Sequence, residues 1–332
     1  MADPAQLGTP DTQSRRPATR VSLSRVGVTG VEKIIRIQAD GGEQLYHAAL
    51  ECYVDLNPLQ AGVHMSRFEE IVNEAVDAVV IGEALKAETL AAHIAERVRE
   101  RQDGLRAEVT IRARYPEHKQ TPVTGLTTQE LYTLIGTAVA SERGVRRLVG
   151  VQAQGMTACP CAQELVAGAA RERLVEQGFT DDEIERVFDA VPVATHNQRG
   201  IGSLYVGCHE GCEAEIRAET LLRIVEDSMS SEIFELMKRP DELAVVEKAH
   251  RRPRFVEDCV REMLRGLIER MPALEGNSFV LARQENLETI HQHNVIAERY
   301  GLLDEIRAEL DSGRHSRHHL TMREWLGTPA SG

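Results

Sequence analysis

The order of hydrophobic and polar positions changes its period several times along the chain, and each change marks a predicted element. The strands predicted in the first half occupy residues 31–37, 45–54 and 106–115, with a shorter one near Val123. Asp40-Gly41-Gly42 predicts a hairpin turn between the first two strands. Ser66 and Glu69 form a capping-box pattern that opens one helix, and residues 85–101 carry the spacing of a second. The predicted order is therefore strand, strand, helix, helix, strand, strand.

A similar alternation continues in the second half of the chain. The strands predicted there occupy residues 146–154, 202–206, 213–217 and 278–283. The helices predicted there occupy residues 163–176, 181–188, 221–227 and 254–270. This mixture predicts an α+β protein with two units, at residues 21–145 and 146–310. A flexible arm is expected over residues 1–20 and a polar, solvated tail over residues 311–332.

The charge balance and the absence of long apolar runs exclude several classes of protein. The 332 residues include 39 Lys and Arg against 52 Asp and Glu, a formal net charge of −13. A protein that tracks phosphates carries the opposite excess, so we expect no nucleic-acid partner. No apolar run approaches the ~20 residues that span a bilayer, and the first thirty residues lack the apolar core of a secretory signal. We therefore expect a cytoplasmic protein without membrane contact.

The six cysteines are too few for a disulfide scaffold, and their spacing is uneven. Cys159 and Cys161 flank Pro160 just before a predicted helix, where the helix N-terminus favours the thiolate form that a metal ligand or nucleophile needs. The alternative is a pair of small buried side chains, which is how free cysteines usually behave. We favour chemistry for this pair. The segment from Cys208 to Cys212 is interpreted as a surface hairpin with incidental thiols.

Acidic and histidine residues supply the other candidates. Glu257 and Asp258 precede a predicted helix, where first-turn acids are favourable; that explanation is incomplete for Glu257, which follows the apolar pair Phe255-Val256. Glu288 and His291 share a face if their segment is helical. His291 and His293 share a face if the segment is extended. The residues alone leave both alternatives open.

Six segments in this order resemble a GTP cyclohydrolase of the prokaryotic type IB family, which is distinct from the folate-pathway enzyme shared with animals. They are His64-Met65-Ser66-Arg67, Cys159-Pro160-Cys161, His196-Asn197-Gln198-Arg199, Lys238-Arg239-Pro240-Asp241-Glu242, Phe255-Val256-Glu257-Asp258 and Ile290-His291-Gln292-His293. The stretch around Gly155-Met156-Thr157-Ala158 resembles the archaeal branch, which is linked to methanopterin-like pterins. The resemblance implies a tunnelling fold (T-fold), in which two tandem ββααββ units per chain close into a barrel on homo-oligomerisation, as a dimer or tetramer.

The resemblance also implies a reaction. Its substrate is GTP, whose imidazole ring is hydrolysed at C8 with the help of Fe²⁺, or of Mn²⁺ or Zn²⁺. The product of the archaeal branch is 7,8-dihydroneopterin 2′,3′-cyclic phosphate, with formate and pyrophosphate released, as the first step towards a methanopterin-type pterin. The alternative product is 7,8-dihydroneopterin triphosphate, for folate or modified nucleosides.

The family's functional residues carry over to matching positions of this sequence. The implied metal ligands are Cys159, His196 and Glu242. The implied catalytic residues are Cys159, Cys161, Glu288 and His291. Glu257 is expected to hold guanine, and the other expected substrate-binding residues are His64, Arg67, Arg199, Lys238 and Arg239. Two hypotheses compete with this one. A non-catalytic nucleotide-binding protein is disfavoured because all three implied metal ligands are present. A dithiol redox protein is disfavoured because Pro160 separates the two cysteines.

Overall fold

Nine β-strands form one antiparallel sheet in the part of the chain that the structure describes. This computed structural model describes residues 13, 15–39, 42–78, 86–208, 216–314 and 318–327. The strands lie in the order β1-β2-β3-β4-β5-β6-β8-β9, and the short β7 pairs with β5. Their bounds are β1 Leu23–Ala39, β2 Gly42–Leu56, β3 Arg106–Gln120, β4 Thr127–Ser141, β5 Gly144–Ala158, β6 Asn197–Cys208, β7 Ser231–Glu232, β8 Phe279–Leu287 and β9 Val295–Leu302.

Helices occupy most of the connections between these strands. Their bounds are α1 Met65–Ala78, α2 Ala87–Gln102, α3 Pro160–Glu176, α4 Asp181–Ala190, α5 Ala218–Ser228, α6 Arg239–Arg251, α7 Val256–Arg270, α8 Leu303–Ser312 and α9 Met322–Gly327. Within the described ranges, none of these helices has the length and apolar character needed to cross a membrane.

The α+β class is confirmed, but the prediction of two tandem T-fold units that close into a barrel was wrong. The chain forms a single nine-stranded sheet instead. The physical reason lies at the expected boundary near residue 145. There β4 and β5, each 15 residues long, are neighbours in the sheet and are joined by a tight turn that ends at Gly144. Gly144 has a φ of +100°, which favours glycine. The boundary therefore falls inside a hairpin.

The chain has two compact units, and the long strands β3, β4 and β5 contribute to both. Unit 1 comprises Met1–Ala113, Ile135–Leu148 and Leu326–Gly332. In it the β1–β2 hairpin and the helices α1 and α2 enclose an apolar core. Its fully buried side chains include Phe68, Ile71, Leu90, Ile94 and Ile111. Unit 1 is thus held together mainly by burial of apolar surface.

Unit 2 comprises Arg114–Leu134 and Val149–Trp325. In it α5 and α7 pack on each other, α5 packs on β6, and α7 packs on β8 and β9. Leu204, Val225, Met263 and Leu267 lie in this layer and are fully buried. The amphipathic spacing of α7 places its apolar side chains in this layer.

Several elements differ from the sequence-based prediction. The strand β4 extends from Thr127 to Ser141, whereas only a short strand near Val123 was expected; α6, β9, α8 and α9 were not predicted. Helix α1 begins at Met65, one residue before the expected cap at Ser66. Most of the strand predicted at residues 213–217 and the turn residues 40–41 lie outside the described residues. The C-terminal segment is not all solvated, because Trp325 is buried and packs on Phe279.

Candidate active site

The junction between β5 and α3 places the two thiols of the Cys-Pro-Cys segment. Cys159 is the N-cap of α3, and its Sγ accepts a hydrogen bond from the Ala162 amide at 3.5 Å. Pro160 occupies the first helical position, which its fixed φ suits. Cys161 is exposed, whereas Cys159 is half-buried. As expected, the proline separates the thiols and does not pair them.

Backbone contacts bring His196 beside Cys159. The Cys159 amide donates to the His196 carbonyl at 3.1 Å, and the Thr195 hydroxyl donates to the Cys159 carbonyl at 2.8 Å. Gln163 of α3 supports this arrangement by donating to the carbonyls of Val193 and His250. The segment before β6 is therefore held against the start of α3.

The imidazole of His196 faces two side-chain oxygens. Its Nδ1 lies 3.1 Å from Gln198 Oε1 and 3.9 Å from Glu288 Oε2. The side chain of His196 is 13% exposed and that of Glu288 is 7% exposed. Cys159, His196 and Glu288, which are distant in the sequence, thus lie in one neighbourhood at the start of α3.

The segment that follows Glu288 is neither helical nor extended, the two conformations considered from the sequence. Residues 288–294 form an irregular connection between β8 and β9. The rings of His291 and His293 stack with their centroids 5.2 Å apart, and both side chains are exposed. Neither a helical nor an extended backbone accounts for this pairing. His291 therefore differs from the buried Glu288 in its surroundings.

Helix α6 presents Glu242 to solvent and buries its neighbour Asp241. The Asp241 carboxylate accepts hydrogen bonds from the amides of Val123, Thr124 and Lys238 at 2.9 to 3.0 Å, and from the Thr124 hydroxyl at 2.6 Å. Burial opposes its ionisation, but these hydrogen bonds outweigh that effect and lower the pKa of Asp241 below its usual value. Asp241 thus fixes the start of α6, while Glu242 is exposed.

The predicted metal ligands are only partly gathered. Cys159 and His196 are adjacent, but Glu242 lies on the exposed first turn of α6. Across the described ranges, no three His, Cys, Asp or Glu side chains are grouped so that they could hold a metal ion. A thiolate, an imidazole and a carboxylate suit Fe²⁺, Mn²⁺ or Zn²⁺ chemically. In this arrangement of a single chain, however, the described residues do not fit a complete metal site.

Three of the expected phosphate-binding cations belong to unit 2. Arg199, near the start of β6, donates to Gln154 Oε1 at 3.1 Å and is otherwise exposed. Lys238 and Arg239 are exposed at the start of α6. Their position follows from the buried Asp241, which anchors that helix end.

The expected guanine-binding residue also belongs to unit 2. Glu257 is exposed in the first turn of α7. It lines a cavity of about 480 Å³ whose wall includes the apolar side chains of Val260 and Leu264. A carboxylate beside an apolar wall is suited to the edge and face of a purine.

The remaining two expected substrate-binding residues belong to unit 1. His64 and Arg67 line a cavity of about 500 Å³. The buried amide of Gln102 holds the backbone of His64, donating to its carbonyl at 2.9 Å and accepting from its amide at 3.3 Å. Arg67 donates to the Arg101 carbonyl at 3.0 Å. Unit 1 therefore holds a polar pocket of its own.

A row of buried amide side chains follows β6 and β8, and sequence reasoning missed its role. Gln198, Gln284 and Asn286 are all at least nine-tenths buried. Gly200 and Gly202 leave room for them, because a Cβ at Gly200 would lie 2.4 Å from Gln284 Nε2. The sequence spacing could have indicated the role of Gln198. Alternate residues of an extended segment share a face, and Gln198 lies two residues after His196.

Two further cysteines are excluded from the chemistry by burial. Burial, with a smaller contribution from Glu51, raises the pKa of the Cys52 thiol to about 12. Burial also raises the pKa of the Cys259 thiol to about 12. Thiols of this kind are almost entirely protonated at neutral pH and are poor nucleophiles or ligands.

Comparison with known proteins identifies close sequence relatives. The family described as "Type I GTP cyclohydrolase folE2" matches residues 9–297. The chain is 41% identical over 309 residues to GTP cyclohydrolase MptA of Methanothermobacter thermautotrophicus, covering 91% of this chain and 96% of that protein. It is 38% identical over 307 residues to GTP cyclohydrolase MptA of Methanococcus aeolicus, covering 90% and 99%.

Among solved structures, the chain is similar to uricase from Arthrobacter globiformis. The TM-score is 0.53 at 9% sequence identity, with 90% of this chain and 98% of that chain covered. A hyper-thermostable AgUricase variant gives a TM-score of 0.51 at 9% identity, with 89% of this chain and 94% of that chain covered. At such low identity the likeness concerns the fold alone.

Proposed function

Because the chain belongs to the type I GTP cyclohydrolase family, hydrolases that act on cyclic amidines, we propose that it opens the imidazole ring of GTP at C8. The observation that carries this proposal is the neighbourhood of Cys159, His196 and Glu288 at the start of α3. It combines a thiol, an imidazole and a carboxylate in a half-buried position. Hydrolysis of a C–N bond requires groups of this kind to move protons between water and nitrogen.

The roles of individual residues follow from their chemistry. His291 carries a proton towards the nitrogen that leaves C8, since an imidazole can both accept and donate a proton. Glu288, whose Oε2 lies 3.9 Å from Nδ1 of His196, takes part in this proton transfer. Glu257 accepts hydrogen bonds from N1–H and the 2-amino group of guanine. The triphosphate is bound by the exposed cations Arg199, Lys238 and Arg239 of unit 2. His64 and Arg67 are also proposed as substrate-binding residues, in the pocket that they line in unit 1.

Metal dependence is a separate part of the proposal. The proposed ion is Fe²⁺, with Mn²⁺ or Zn²⁺ as alternatives, and the proposed ligands are Cys159, His196 and Glu242. The types of donor support this set. The exposed position of Glu242 does not, so the ligand set needs a direct test. Cys161 and His291, both exposed, are proposed to assist at the reacting carbon and in proton transfer.

The proposed product is 7,8-dihydroneopterin 2′,3′-cyclic phosphate, with formate and pyrophosphate released, in methanopterin-type pterin biosynthesis. The names of the MptA relatives support this branch. The alternative, 7,8-dihydroneopterin triphosphate, is favoured by the type I description of the matching family. A homo-oligomer, a dimer or tetramer, is also proposed.

Anaerobic incubation of the purified protein with GTP and each metal in turn tests the proposal. We expect formate release with at least one of Fe²⁺, Mn²⁺ and Zn²⁺, and mass spectrometry of the pterin separates the cyclic phosphate from the triphosphate. Absence of formate with all three metals would overturn the proposed reaction. Formate release that is equally fast in excess chelator would overturn only the metal dependence.

Single substitutions test which residues carry the reaction. Cys159→Ala and His196→Ala are each expected to lower kcat/KM about 10²–10⁴-fold, the range for loss of a positioned proton-transfer or nucleophilic group. The matched control is His93→Ala, which removes an exposed imidazole from α2 in unit 1. Equal rates for His196→Ala and His93→Ala would exclude His196 from the reaction.

A further inference from the structure

We infer that Gln198 is a positioning residue that fixes the tautomer of His196, with the proton on Nδ1 and the lone pair on Nε2. This inference deepens the proposed function and rests on it for its catalytic meaning. An imidazole can take up a proton, or bind a cation, only through a nitrogen that carries a lone pair. Control of the tautomer therefore decides which ring nitrogen of His196 is available for chemistry.

The contacts of the ring carry the assignment. Nδ1 of His196 lies 3.1 Å from Gln198 Oε1, which is hydrogen-bonding distance, and 3.9 Å from Glu288 Oε2. Both oxygens are acceptors. A lone pair on Nδ1 would be repelled by the Glu288 carboxylate, whereas an N–H there is attracted by it. The same carboxylate disfavours a flipped amide, whose NH₂ group would require the lone pair on Nδ1.

Burial and strand pairing hold Gln198 in this position. Gln198 is 5% exposed. In the antiparallel pairing of β6 with β8, Arg199 lies opposite Leu287, and Gln198 and Glu288 are the residues next to this terminal pair. The amide of Gln198 loses its hydration on burial, and its hydrogen bond to the imidazole offsets that loss. Gln198 thus lies in β6, and Glu288 directly follows the last residue of β8, so the pairing of these strands holds both acceptors near His196.

Substitution of Gln198 should allow the proton of His196 to move from Nδ1 to Nε2. Glu288 remains, but at 3.9 Å it is beyond hydrogen-bonding distance of Nδ1. Free histidine prefers its proton on Nε2, so Gln198→Ala should shift His196 substantially towards the Nε2–H form. Gln198→Glu keeps an acceptor oxygen at the same place and should preserve the Nδ1–H form.

Long-range ¹H–¹⁵N correlation spectra of the full-length protein, labelled at its histidines and freed of metal by chelation, measure the tautomer directly. Spectra are recorded at about pH 8.5, roughly two units above the ordinary imidazole pKa. His196 is assigned among the twelve histidines by the signal missing from His196→Asn. We expect a protonated Nδ1 and an unprotonated Nε2 in the wild type and in Gln198→Glu, and a substantial Nε2–H population in Gln198→Ala.

The matched control is Gln152→Ala, which removes a glutamine that donates to Ser203 of the same strand β6. It should leave the His196 signals unchanged. An Nε2–H or doubly protonated His196 in the wild type would overturn the inference even if Gln198→Ala failed to fold, as would unchanged signals in a folded Gln198→Ala. The spectra need neither GTP nor metal, so this inference and the proposed function fail independently.

Discussion

The two compact units fill their interiors with different kinds of side chain. Of the polar or charged residues that are buried in the described ranges, three belong to unit 1 and thirteen to unit 2. Burial of a polar group costs free energy unless a hydrogen bond compensates it. Unit 2 therefore devotes part of its interior to groups that contribute less to stability than apolar side chains would. One of those groups, Gln198, lies with its Oε1 3.1 Å from Nδ1 of His196 in the candidate site.

The two units also differ in how completely some of their buried polar side chains are hydrogen-bonded. In unit 1 the buried amide of Gln102 uses both its oxygen and its nitrogen on the backbone of His64. Among the described residues of unit 2, the side-chain oxygens of Thr157, Ser231 and Gln284 are buried without a hydrogen-bond partner. Buried polar side chains therefore hold the backbone in both units, Gln102 in unit 1 and Asp241 in unit 2, but the described part of unit 2 also contains buried oxygens that are not hydrogen-bonded.

The reactivity of cysteines offers the largest expected contrast between the units. At pH 8 a thiol with a pKa of about 12, as in Cys52 of unit 1, is ionised in only about one molecule in ten thousand. Cys161 of unit 2 is exposed and should be alkylated first by iodoacetamide. Mass spectrometry of peptides from a time course measures both rates. In denaturant the two cysteines should react alike, and similar rates in the native protein would contradict the burial of Cys52.

Substitution of two buried glutamines gives the next largest contrast. Gln102→Met in unit 1 removes two hydrogen bonds to the backbone of His64, which should cost about 1–3 kcal/mol of unfolding free energy. Gln284→Met in unit 2 loses one hydrogen bond, to Asn286, but also removes an unsatisfied oxygen. We expect a change within about 1 kcal/mol in either direction. Chemical denaturation measures both, and equal losses would contradict the contrast between the units.

The smallest expected effects are those of two carboxylates on folding stability at different pH, and the two effects have opposite signs. Burial raises the pKa of Glu88 in unit 1 above its usual value, so the folded state binds that proton more tightly than the unfolded state. Glu88 therefore lowers stability as the pH rises from about 4.3, the unfolded value. The hydrogen bonds on Asp241 in unit 2 lower its pKa, so its contribution is present above about 3.9 and is lost as the pH falls further.

Melting temperatures of Glu88→Gln and Asp241→Asn between pH 3 and pH 7 test these signs. Relative to wild type, Glu88→Gln should gain stability at pH 7 compared with pH 4. Asp241→Asn should be less stable at pH 7, and the difference should shrink towards pH 3. A deficit of Asp241→Asn that grows on acidification would show that the carboxylate is not held in its ionised form.

Local signals in the sequence predicted a large part of the fold. Strand β2, α1 to α5, α7 and β8 follow from periodicity and capping within a few residues. Strand β1 was predicted only in part, because it begins at Leu23 and not at residue 31. Strand β4 did not follow from these signals, because its buried face begins with Thr128 and Glu130, which interrupt the apolar alternation. Those two are bonded to each other, and Glu130 also accepts from the amide of Glu235, a partner 105 residues away. Sequence spacing cannot supply that compensation.

The candidate site divides in the same way. Six short segments identified the family, and Pro160 alone was enough to set Cys159 and Cys161 apart at the start of a helix. The sequence did not distinguish the exposed Glu242 from the buried Asp241. Nor did it bring Glu288 to His196 or give Gln198 a role. Identity depends on residue types in order, which the chain carries by itself. Proximity depends on strand pairing and burial across many residues, which only the folded structure decides.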